Sequence, residues 1–63
     1  MNAPQTLSLA GLEAVYDALA TAIDQAGPEK SELFLVKLAL LNAQALGDAD
    51  AFRRQIDTAL RDL

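Results

Sequence analysis

Cysteine, histidine and tryptophan are all absent from this chain of 63 residues. Without the first two it has no disulfide, no thiolate or imidazole for catalysis, and no ligand set for a structural zinc. Basic residues are scarce as well: five against nine acids, a net charge of −4. That balance repels phosphate backbones and anionic lipid surfaces, so neither nucleic acid nor a membrane is an expected partner. The longest apolar stretch, Leu33 to Leu46, contains Lys37, Asn42 and Gln44 and falls short of the ~20 residues a bilayer span needs. Met1 to Ser8 carry no base and no long apolar block, unlike a secretory signal, and a cytoplasmic location is expected.

What the chain does have is alanine and leucine. Thirteen Ala and twelve Leu stand against two Val and two Ile, a bias that favours helix over strand. A chain of about 60 residues buries only ~60% of the surface its unfolded form exposes, so its stability is marginal unless something supplements the core. With disulfides and zinc excluded, the supplements left are good helix packing and oligomerisation.

Three glycines and two prolines punctuate the chain, and their positions predict helices near residues 9–26, 28–46 and 49–62. In the first, Leu12, Val15, Tyr16, Leu19, Ile23 and Ala26 recur at i, i+3, i+4 spacing, with Glu13, Asp17, Thr21 and Asp24 on the other side. Ser8 can cap it, and Leu7 and Leu12 stand where a hydrophobic staple fixes the chain's entry. Gly11 is either a tolerated glycine near a helix start or a place where a neighbouring backbone approaches closely. Gly27 ends the first helix, and Pro28 suits the first position of the second, where a missing N–H is not needed. Gly47 stops the second, and Asp48 or Asp50 caps the third. There Ala49, Phe52, Ile56, Ala59, Leu60 and Leu63 form the apolar side, with Asp50–Arg54 and Asp57–Arg61 as i, i+4 pairs opposite. The short connections imply an all-α fold, a three-helix up-down bundle packing as a dimer, with residues 1–6 as a loose tail and 7–63 as one domain.

The middle helix is the informative one. Its continuous polar stripe is Lys30, Lys37 and Gln44, while leucines, Phe34 and Val36 occupy most of the remaining circumference. Two neighbouring helices cannot easily cover that much. Leu35, Leu38, Ala39 and Leu46 are expected to face the core; Leu33, Phe34, Leu40 and Leu41 flank the polar stripe. Contiguous exposed apolar residues usually mark a contact site, so Leu33, Phe34, Lys37, Leu40 and Leu41 are the candidate interface. Two alternatives stay open: a bundle that wraps this helix completely, and a pocket between helices that carries a small apolar or aromatic molecule.

No residue pattern points to catalysis. Glu13, Asp17 and Asp24 share a side of the first helix, and such a face is usually solvated. Gly47-Asp48-Ala49-Asp50 is too short for a calcium loop and lacks the terminal Glu. Arg53, Arg54 and Arg61 would suit a recognition helix, but Asp48, Asp50, Asp57 and Asp62 outnumber them. The Asp-Ser-Leu motif of acyl carrier proteins is missing, since Ser31 lies between Lys30 and Glu32. Tyr16 belongs to the buried apolar stripe and is expected as a core residue with its hydroxyl at the rim.

The run Leu12-Glu13-Ala14-Val15-Tyr16-Asp17-Ala18-Leu19, then Ala26-Gly27-Pro28-Glu29-Lys30-Ser31-Glu32-Leu33-Phe34-Leu35 and Lys37-Leu38-Ala39-Leu40-Leu41, resembles a family of short bacterial proteins classed as a domain of unknown function. The likeness covers Leu9 to Leu63, and its most specific part is the Gly-Pro-Glu-Lys stretch. It implies a stand-alone protein without assigned activity, cofactor or functional residues. It also implies an accessory role beside a larger enzyme such as a flavin-dependent hydroxylase. Together these readings lead to an expectation of a non-enzymatic interaction protein that takes no cofactor and forms a homodimer through its middle helix.

Overall fold

The computed structural model describes residues 6–61 and 63. They form three helices and no strand: α1 (Leu9–Ala26), α2 (Ser31–Leu46) and α3 (Ala49–Arg61). The chain divides into two compact units, Met1–Ser31 and Glu32–Leu63. Most of the expected tail, residues 1–5, and the expected last helical residue, Asp62, lie outside the described residues.

In the first unit the sequence fixes both ends of α1 by named groups. Ser8 is extended at the N-cap, and its Oγ accepts a hydrogen bond of 3.0 Å from the Gly11 N–H. Its carbonyl accepts from the Leu12 N–H at 2.9 Å. The first bond satisfies one of the four donors that a helix start leaves free, and the second is the first bond of the helix itself. Gly11 has a local reason, and it is not a neighbouring backbone. A Cβ there would stand 3.3 Å from Leu7 Cδ2 and 3.3 Å from Ser8 Oγ, so the missing side chain lets Leu7 and the cap fold against the first turn.

At the other end, Gly27 has φ 83° and ψ 162°, a region open essentially to glycine, and its N–H donates to the Ile23 carbonyl at 3.0 Å. The Gly27 carbonyl then takes two donors, the Lys30 N–H at 3.1 Å and Ser31 Oγ at 2.7 Å. This bonding corrects one sequence expectation. Pro28 does not open the second helix; residues 28–30 form a turn closed three residues on, and α2 starts at Ser31.

The second unit holds α2, a two-residue connection and α3. Gly47, at φ 73°, donates to the Ala43 carbonyl at 2.9 Å and ends α2. Of the two candidate caps for α3, Asp48 is the one: its Oδ1 accepts from the Ala51 N–H at 3.1 Å, and its carbonyl from the Phe52 N–H at 3.0 Å. Asp50 is thereby free to pair within the helix. It does so with Arg53, Nη1 to Oδ1 at 3.1 Å, instead of the expected Arg54. An aspartate is short, and the residue three positions on is within its reach.

No side chain among the described residues is fully buried, apolar or polar. The best covered are half-buried: Leu19, Ala22, Ile23 and Ala26 in the first unit, and Phe34, Leu38, Ala39, Ala43, Ala51 and Phe52 in the second. Leu35 and Leu46, expected in the core, remain 41% and 42% exposed.

The two positive-φ glycines make a direct test. Nothing lies within 4 Å of a Cβ built at either position, so an alanine there meets backbone strain alone. Gly27→Ala should lower stability by about 2–3 kcal/mol and Gly47→Ala by about 1–2 kcal/mol, in that order in urea titrations. Two neutral substitutions would contradict the assigned helix ends.

Candidate functional site

The candidate surface starts from the spacing of residues on α2. At about 100° per residue, positions 33, 37, 40, 41 and 44 fall within a sector of about 100°, so their side chains share one face of the helix. The structure leaves all five exposed. Leu33 is 58%, Leu40 64% and Leu41 67% exposed, so this face carries the barest leucines of α2. Lys37, Leu40, Leu41 and Gln44 together line a shallow open groove of about 350 Å³. Lys37 is the one cation of the helix. Phe34, grouped with these residues from the sequence, is half-buried and stands at the edge of the face.

A second bare face lies in the first unit. Leu12 and Tyr16 are one turn apart and 55% and 72% exposed. Glu13 and Asp17 run beside them, one residue further on, as an acidic row along an apolar one. The four line an open groove of about 450 Å³. Reading the sequence alone placed Tyr16 on a buried stripe with its hydroxyl at the rim; the structure puts most of the ring in solvent. The periodicity of α1 identifies its apolar side correctly but does not say how far along the helix that side is covered. Leu19 and Ile23 are half-buried, whereas Leu9, Leu12, Val15 and Tyr16, nearer the helix start, are exposed.

On α3 the apolar side behaves the same way in reverse. Phe52 is half-buried, and Ile56, Leu60 and Leu63 are progressively more exposed towards the end of the chain. A third groove, of about 380 Å³, lies on another side of this helix between Ala51, Arg54, Gln55, Thr58 and Ala59. Thr58 Oγ1 donates back to the Arg54 carbonyl at 3.0 Å, so its hydroxyl is engaged within the helix.

Chemically these faces offer apolar contact edged by charge. Among the described residues, no group of three or more Asp and Glu side chains is placed to hold a metal ion, and no helix is long and apolar enough to cross a membrane. No protein-family model, curated protein or solved structure matches the chain. The resemblance drawn from residues 9–63 to short bacterial proteins of unknown function therefore receives no support from them.

The ion pair between Arg53 and Asp50 on α3 is not an anchor for anything. Arg53 and Asp50 are 72% and 78% exposed, where a salt bridge gains little in water. Arg53→Ala should change stability by less than about 1 kcal/mol in a urea titration. A larger loss would mean that this side of α3 is covered in solution.

Proposed function

We propose that the chain is a small helical interaction protein, without catalytic activity of its own, that self-associates through the exposed face of α2. One observation carries this reading: α2 is apolar around most of its circumference, yet Leu33, Leu40 and Leu41 are more than half exposed and no described side chain is buried. A helix of that composition belongs in an interior.

The three grooves described are shallow and open, and none favours the alternative of a carried apolar molecule. A cytoplasmic setting and an accessory role beside a larger enzyme, a flavin-dependent hydroxylase as the resemblance implies, belong to the same proposal. Any such partner would compete for, or dock beside, the face used for self-association.

Light scattering tests the proposal. The native chain should run as a dimer of 6.7 kDa subunits, and Leu40→Glu combined with Leu41→Glu should give a monomer. Both positions are exposed, so the substitutions do not cut into the half-buried set, as Phe34→Glu would. A native chain that stays at 6.7 kDa near millimolar concentration would overturn the reading.

A further inference from the structure

We draw no further inference here: the strongest candidate, the exposed leucine face around Lys37 on α2, carries none, because carboxylates stand beside bare apolar residues on α1 and α3 alike and nothing in the structure shows what covers it.

Discussion

A helix that is apolar around most of its circumference has to be surrounded, and α2 meets this constraint with only two other short helices in the chain. Its sixteen residues contain one cation, one acid, and Ser31, Asn42 and Gln44 as the remaining polar groups. Everything else about the molecule follows from the shortage of cover. The caps at Ser8 and Asp48 and the glycine stops at Gly27 and Gly47 build well-formed helices. Helices of this length are marginal in water unless their apolar sides are packed. Here those sides are at best half-buried, and local structure is complete where tertiary cover is not.

That imbalance explains why composition alone excludes so much and identifies so little. With no Cys and no His, the chain lacks the common supplements for a small core, and its Ala and Leu content supplies helix without bulk. Alanine buries little area, so the half-buried set of Ala22, Ala26, Ala39, Ala43 and Ala51 contributes close approach more than hydrophobic stabilisation. Several of the large side chains that would stabilise an interior, Tyr16, Leu33, Leu40 and Leu41 among them, are left exposed. On the proposed self-association, burying them against a second copy would make association part of folding.

The helices were legible in the sequence because their signals are local. Ser8 before an apolar repeat, Gly27-Pro28 and Gly47-Asp48 set element ends through bonds that span three or four residues, and α1 and its cap lie where the pattern puts them. The start of α2 was misread because Pro28 at a first helical position competes with a turn, and the Gly27 carbonyl is taken by Lys30 and Ser31. Burial was the least legible property. Periodicity tells which side of a helix is apolar, but whether Tyr16 or Leu41 is covered is set by distant parts of the chain, and a local pattern does not carry it. The candidate surface was thus visible as an excess of leucine on α2, whereas the exposure of Leu12 and Tyr16 on α1 was not.

The central claim is that folding and association are one process, and thermal unfolding at different chain concentrations tests it most directly. Circular dichroism melts over a ~100-fold concentration range should give a midpoint that climbs steadily with concentration, because mass action favours the paired, folded state. A midpoint that stays constant across that range would mean the chain is stable alone, and the account of its exposed apolar faces would be contradicted.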